Sequence, residues 1–233
     1  MAAPASEGAF PRTQTRTPRP GTILPPTLYV VRDAKLVPGW LAEEDGGDAV
    51  KSFEIEVAVH RPLRALVREL GTFLSAACER ERATVEEEKA GERRRAGPQT
   101  AEAVRVITTC QPSGVELVAW GAAEAAEKDR LLRAFCAFAE AFCADLRSLG
   151  YWADYADPAS GLLMGSPGQT CWPEVQALER LRGYRVDAAG RCHIVSHPAW
   201  RFKHYPASLF AEAPDEVILA ALDRVATRRA AAA

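Results

Sequence analysis

The sequence has no apolar run approaching the roughly 20 residues that a membrane-spanning helix requires. It also has no excess of charge of one sign, because 29 Lys and Arg residues stand against 31 Asp and Glu and give a formal net charge of -2. A chain with this balance offers no broad cationic field to a nucleic acid backbone or an anionic membrane. We therefore expect a soluble protein that binds neither nucleic acid nor membrane.

The cysteines form no CxxC pair, and no secretory signal begins the chain. This usage favours a reducing compartment in which most thiols are buried as small apolar groups. The six cysteines are Cys78, Cys110, Cys136, Cys143, Cys171 and Cys192.

The first 26 residues are rich in Arg and contain a single acid, Glu7, which is compatible with an organelle transit peptide. Their six prolines interrupt any amphipathic helix, so a disordered tail is the favoured interpretation. We expect residues 1–50 to be poorly ordered and residues 51–228 to form one α+β domain. A tail without helical amphipathicity favours the cytoplasm and leaves a mitochondrial location open.

Familiar catalytic signatures are missing as well. The chain contains no P-loop, GxGxxG, HExxH or GxSxG motif. These absences exclude the usual phosphate, dinucleotide, zinc-protease and acyl-transfer sites.

Periodicity predicts the elements of the domain. Alternating apolar residues indicate strands, and apolar steps of three and four indicate helices, with Gly150 and Gly183 placed to end two of them. A charged stretch at about 79–98 has too little apolar surface for a core and predicts a solvated insertion. The predicted strands are 53–59, 104–109, 115–120, 184–187, 192–196 and 203–210, and the predicted helices are 63–73, 131–149, 173–181 and 214–227.

The order of the predicted elements includes two hairpins. One joins strands 104–109 and 115–120, and the other turns at residues 188–191. The pattern favours an α+β sandwich with a largely antiparallel sheet.

Metal ligands are sparse. Cys192, His193 and His197 lie close in sequence, with Cys171 and His204 further away, but neighbouring strand residues face opposite sides, which argues against a zinc site. Cys192 alone has two interpretations, a soft thiolate ligand or a small apolar filler. His197 is expected to shape a bend.

An aromatic group follows the longest predicted helix. Tyr151, Trp152 and Tyr155 either stack on a flat cofactor or belong to the core. Asp154 and Asp157 lack a second partner for acid/base catalysis, and Asp157 before Pro158 is typical of a turn.

The run from Gly150 to Gly161 resembles the corresponding segment of the CblD family, the methylmalonic aciduria and homocystinuria type D proteins. Four further segments match in order and spacing: residues 183–187, 190–192, 196–200 and 208–210. The resemblance implies a nitroreductase-like sandwich without flavin, and an adaptor that binds a CblC-type protein carrying cobalamin. It further implies delivery of cobalamin to methionine synthase, methylmalonyl-CoA mutase or both, with no cofactor bound by the adaptor alone. An adaptor of this kind is not an enzyme and has no catalytic residues.

In that family a Gly-Cys-Cys run follows the hairpin turn, and its first cysteine can coordinate the cobalt. Here that position is Arg191, which cannot ligate cobalt while protonated, and only Cys192 is kept. Either Cys192 reaches the cobalt through a local bulge or twist, or the protein hands over cobalamin without a cobalt–sulfur bond, or it has left the cobalamin role.

The resemblance also assigns residues. The surface nearest the partner and its cobalamin would comprise Gly190, Arg191, Cys192, His197 and Trp200, with Cys192 as the cobalt contact. The scaffold of the site would comprise Tyr151, Trp152, Asp154, Asp157, Ser160 and Gly161. Two rival functions are a flavin- or thiol-dependent reductase of the same fold and a scaffold that no longer uses cobalamin.

Overall fold

A computed structural model describes residues 19–32, 52–87, 97–166, 168–190 and 192–228. Within these residues, six strands form an antiparallel sheet in the order β4-β7-β3-β2-β1-β8, and β5 and β6 form a separate pair. The strands are β1 Thr22–Val31, β2 Phe53–His60, β3 Arg105–Pro112, β4 Trp152–Tyr155, β5 Arg185–Ala189, β6 Cys192–Ser196, β7 His204–Glu212 and β8 Thr227–Arg228. The helices are α1 Arg64–Phe73, α2 Ser75–Glu87, α3 Ala122–Ser148, α4 Glu174–Arg182 and α5 Asp215–Val225.

Helix α3 covers one face of the sheet. Phe135, Phe138, Phe142 and Leu146 recur at steps of three and four, and all are fully buried in the main core. The helix ends as the sequence predicts, with Gly150 at φ +81° and its N–H bonded to the carbonyl of Arg147. Helix α5 packs beside it. Among the described residues, no helix combines the length and the apolar character needed to cross a bilayer.

The opposite face is covered by α1 and α4. Phe73 of α1 lies 5.3 Å from Trp172 and 5.0 Å from Phe210, measured between ring centres, and Leu66 and Leu70 join this second core. Because both faces of the sheet are covered, side chains that point either way from the central strands are buried. The prediction of an α+β domain with an antiparallel sheet is confirmed.

The hairpin of β5 and β6 also agrees with its prediction. Its register pairs Asp187 with Ile194 and Ala189 with Cys192, and Gly190 in the turn has φ +62°. The hairpin packs on α4, so it lies over the same face of the sheet as that helix.

Strand β1 corrects one expectation, since residues 22–31 fall within the region predicted to be poorly ordered. β1 pairs with β2 along its length, and Pro25 and Pro26 sit where the pairing register shifts between Leu24 and Thr27. Proline lacks a backbone donor, and a register irregularity is where a strand tolerates this loss. Residues 1–18 and 33–50 lie outside the described residues.

The predicted hairpin between 104–109 and 115–120 is wrong. β3 already pairs with β2 on one side and β7 on the other, so neither of its edges is free for a further strand. The chain after Pro112 forms turns, in which the Leu117 N–H donates to the carbonyl of Phe202. Trp120 is 98% exposed.

The charged stretch at 79–98 is only partly as expected. Residues up to Glu87 continue α2, and Glu81 is buried, where its carboxylate accepts a hydrogen bond from the backbone N–H of Gly97. This contact draws the end of the stretch against the domain. Residues 88–96 lie outside the described residues.

The main core makes a direct prediction about stability. Replacing the fully buried Phe142 with Ala removes ring contacts and leaves a cavity, and we expect a loss of about 3–5 kcal/mol in the free energy of unfolding. The matched control Leu149→Ala removes a side chain that is 53% exposed and should cost less than about 0.5 kcal/mol. Urea unfolding of both variants checks this, and equal losses would contradict the packing described.

Candidate functional site

A buried carboxylate lies at the centre of the face beneath α4 and the hairpin. Glu56, in the middle of β2, has no solvent exposure. Its Oε1 accepts hydrogen bonds from Arg182 Nη2 at 2.6 Å, the Tyr184 hydroxyl at 2.9 Å and His197 Nε2 at 3.1 Å. These donors come from the end of α4, the entrance to β5 and the exit from β6. One oxygen atom therefore ties the helix and both ends of the hairpin to the sheet.

The hydrogen bonds around His197 define its tautomer. Its Nδ1 accepts from the backbone N–H groups of Ala199 and Trp200, so the proton resides on Nε2 and is donated to Glu56. The ring stacks on Trp200 with centroids 4.0 Å apart and planes 9° apart. Burial lowers the pKa of His197 and keeps it neutral. The prediction that His197 shapes a bend agrees with this geometry.

Arg182 completes the network, and its side chain is fully buried. Its Nη1 donates to Cys110 Sγ at 3.3 Å, while the guanidinium lies over the ring of Tyr184 at 4.9 Å. Burial raises the pKa of the Cys110 thiol, which therefore stays protonated. We refer to Glu56, Cys110, Arg182, Tyr184 and His197 as the Glu56 network.

Three members of the network have metal-ligand chemistry. In the described part of the chain, the ligand atoms of Glu56, Cys110 and His197 lie within 4.8 Å of one another. The Arg182 guanidinium bonds both Glu56 and Cys110, and its positive charge would oppose a cation. The network is therefore better suited to a buried ion pair than to a metal ion.

The predicted partner surface is divided in the structure. Gly190 and Cys192 are exposed at the tip of the hairpin, and Arg191 lies outside the described residues. His197 and Trp200 are 1% and 5% exposed, because they pack in the base of the hairpin. The expectation that all five share one surface is corrected: the hairpin tip is accessible, whereas His197 and Trp200 support it from below.

The turn after β4 is held by side-chain hydrogen bonds. The Asp157 carboxylate accepts from the N–H of Ala159 and from both the N–H and the hydroxyl of Ser160. Gly161 has φ +75°, and a Cβ there would lie 3.0 Å from Cys171 Cβ. The interpretation of Asp157 as a turn residue therefore agrees with its contacts.

The aromatic residues before this turn belong to the core. Trp152 is 3% exposed and lies in the second core, and Tyr151 packs against the main core. Asp154 is fully buried, accepts from the N–H groups of Tyr155 and Gly165, and has its pKa raised by burial. These positions favour a structural role over stacking on a cofactor.

A cavity of about 330 Å³ opens beside the hairpin, between β6, the start of α4 and the start of β7. Glu174 in its wall accepts from the Ser208 hydroxyl at 2.9 Å, and burial raises the pKa of Glu174 to about 7. The lining residues are Leu117, Val118, Lys128, Ala156, Asp157, Pro158, Gly161, Trp172, Glu174, Val175, His193, Ile194, Val195, Phe202, His204, Tyr205 and Pro206.

Sequence reasoning missed most of the Glu56 network. The alternation of β2 places Glu56 opposite the apolar residues, which for a half-buried strand predicts solvent. Only the covering of the second face makes Glu56 a buried group. Tyr184 belongs to one of the segments that carry the family resemblance, but nothing in its neighbourhood indicates a carboxylate partner.

Fold and site together describe an α+β domain in which a buried ion-pair network fixes a hairpin whose tip is exposed. Comparison with known proteins gives the family. The family model for methylmalonic aciduria and homocystinuria type D protein matches residues 97–223, more than half of the chain. The chain belongs to this family.

Individual relatives agree with the family model. The chain is 32% identical over 117 residues to the Cobalamin trafficking protein CblD of Homo sapiens, covering 49% of this chain and 39% of that protein. It is 33% identical over 122 residues to the Gallus gallus protein of the same name, covering 51% and 41%. The chain thus spans about two fifths of the length of these relatives.

The Glu56 network predicts a large cost for removing its charge. Glu56→Gln leaves Arg182 as an uncompensated buried cation, and we expect a loss of about 3–5 kcal/mol in unfolding free energy. Arg61→Gln is the control, since it breaks an ion pair whose Arg61 side chain is 61% exposed while Asp215 keeps Arg105. The control should cost at most about 1 kcal/mol. Similar losses in chemical denaturation would contradict a buried ion pair.

The Glu174 carboxyl in the cavity wall predicts that the stability of the protein depends on pH. The folded pKa of Glu174, about 7, lies above its ordinary value of 4.5, so the folded state holds this proton more tightly than the unfolded state. As pH rises from 4.5 to 7, this group should remove on the order of 2 kcal/mol of stability from the wild type. Glu174→Gln cannot ionise and should escape this loss.

Unfolding free energies of both proteins, measured at pH 4.5, 6 and 8, test the assignment of this proton. A stability difference between wild type and Glu174→Gln that stays constant across the series would contradict it.

Proposed function

We propose that this protein is an intracellular cobalamin trafficking adaptor whose hairpin tip contacts a CblC-type protein carrying cobalamin. The observation that supports this most directly is the exposure of Cys192 at the tip of a hairpin whose base is fixed by the Glu56 network. An anchored hairpin presents a side chain to a partner at little further entropic cost. The cobalamin would be bound in the complex and not by the adaptor alone.

The cysteines differ in solvent exposure and therefore in their ability to reach a partner. Cys192 and Cys171 are exposed, while burial raises the pKa of Cys110, Cys136 and Cys143 and disfavours their thiolate forms. The Cys171 thiol already donates to the carbonyl of Ser160. Cys192 is therefore the thiol that we assign to the cobalt, despite the arginine at position 191.

The proposal is an adaptor and not an enzyme because the buried polar groups described above serve structural bonds. Arg182 and His197 both donate to Glu56, and the partly buried Asp157 accepts the bonds that hold its turn. The proposal includes the nitroreductase-like architecture and delivery to methionine synthase in the cytoplasm, to methylmalonyl-CoA mutase in mitochondria, or to both.

The visible spectrum of a CblC-type protein carrying cob(II)alamin, titrated with this protein, tests the proposal. We expect a spectral change with wild type, because a thiolate is a soft cobalt ligand. The change should be lost with Cys192→Ser and kept with Cys171→Ser, the matched variant of the other exposed cysteine.

Size-exclusion chromatography of the same mixtures separates the two parts of the proposal. If Cys192→Ser co-elutes with the partner and gives the same spectral change as wild type, the thiol contact is rejected and the adaptor function stands. If no complex forms with the cobalamin-loaded partner, the adaptor function itself is wrong.

A further inference from the structure

We propose that a recess at the base of the β5–β6 hairpin, lined by Arg185, Ser196 and Arg201, binds a phosphate group. The recess has a volume of about 220 Å³, and His197 and Pro198 complete its lining. It shares no lining residue with the larger cavity beside the hairpin. The trafficking role proposed above does not require a phosphate site, so the two proposals can fail independently.

Pairing within the hairpin brings two polar side chains together at the recess. Arg185 and Ser196 are directly opposite each other in the β5–β6 register, so their side chains leave the same face of the hairpin. The inner face is occupied by Val186 and Val195, which pack in a small core with Trp200. Arg185 and Ser196 therefore project from the outer face, where the Arg185 side chain is 73% exposed.

The second arginine stands at a backbone position that arginine rarely occupies. Arg201 has φ +54°, and among the described residues it is the one non-glycine residue with a positive φ. Its N–H donates to the carbonyl of His197, and its own carbonyl accepts from the N–H of His197 and from Nδ1 of His204. Glycine would make the same backbone bonds with less strain, so an arginine here points to a role for its side chain.

The polar groups at the recess have bonding capacity left for a ligand. Within the described part of the chain, the exposed Arg201 guanidinium has only a contact with the Phe202 ring at 6.0 Å, and the Ser196 hydroxyl has no hydrogen bond. Arg185 donates from Nε to Asp187 on the same face at 2.7 Å. Two guanidinium groups and one carboxylate leave this part of the surface with a net positive charge.

This combination of groups suits an oxyanion. A guanidinium offers paired donors that match two oxygens of one anion, and the hydroxyl supplies a further donor. Phosphate has enough oxygens to bond both arginines and Ser196 at once, whereas a carboxylate does not. Both guanidinium groups are on solvent-exposed side chains, so a ligand that enters from solvent can reach them. The volume of the recess also admits a small organic group esterified to the phosphate.

Amide chemical shifts of the full chain, titrated with inorganic phosphate at constant ionic strength, test the proposal. We expect saturable shifts at Ser196 and Arg201 with a Kd on the order of 1–10 mM. Acetate, which has less charge and fewer oxygens, should bind at least about 5-fold more weakly. Absence of saturation in tens of millimolar phosphate, equal binding of acetate, or shifts confined to other regions would each overturn the proposal.

Variants assign the binding to the two arginines. Arg185→Gln and Arg201→Gln should each weaken phosphate binding by about 5–10-fold, because each removes a charge-assisted hydrogen bond. Arg64→Gln is the matched control: it removes an exposed arginine of α1, outside the recess, and should keep the wild-type affinity. Wild-type affinity in both variants of the recess would reject the site.

Arg201→Gly separates binding from folding. Glycine adopts a positive φ without strain, so this variant should melt no lower than wild type while binding phosphate as weakly as Arg201→Gln. Wild-type affinity in Arg201→Gly would show that the side chain takes no part.

Methyl phosphate distinguishes two sources of the phosphate group. Methyl phosphate that binds at least as tightly as inorganic phosphate would identify phosphate esters as the ligand class. Binding of inorganic phosphate alone would identify the free ion, and binding of neither would reject the site.

Discussion

The Glu56 carboxylate is the constraint on which the arrangement of the functional face depends. A buried charge is costly unless it is paired and fully bonded, and Glu56 meets this requirement through Arg182, Tyr184 and His197. These donors become available only when α4 and the β5–β6 hairpin lie over the sheet. Burial of the charge and placement of the hairpin therefore depend on each other, because undocking the hairpin would remove the Tyr184 and His197 bonds to Glu56.

The network also explains how one small region combines rigidity with access. His197 and Trp200 are stacked and buried at the base of the hairpin, while Cys192 at its tip is exposed. Beside them, β6 forms a wall of the cavity that Trp172 and His204 also line. A strand fixed at its lower end thus contributes to two surfaces, the outer tip that we propose as the partner contact and the wall of the cavity.

Periodicity in the sequence predicted helices that bury one apolar stripe, such as α3, which ends beside Gly150. It also predicted the hairpin that turns at Gly190. It failed where tertiary contacts override local pattern. Glu56 follows the alternation of a solvent-facing residue but is buried because the second face of the sheet is covered. The strand around Pro25 was missed because a register irregularity accommodates prolines that disfavour regular pairing. The family resemblance located the hairpin but not the cavity beside it.

Hydrogen exchange in the presence and absence of a cobalamin-loaded CblC-type protein tests the central claim most directly, that a hairpin held by the Glu56 network is the surface presented to the partner. The account predicts that the amides of β6 near Val195 exchange slowly in the free protein and that the partner adds protection at the tip, around Gly190 and Cys192. Added protection on the face formed by α3 and α5, with exchange at the tip unchanged, would contradict it.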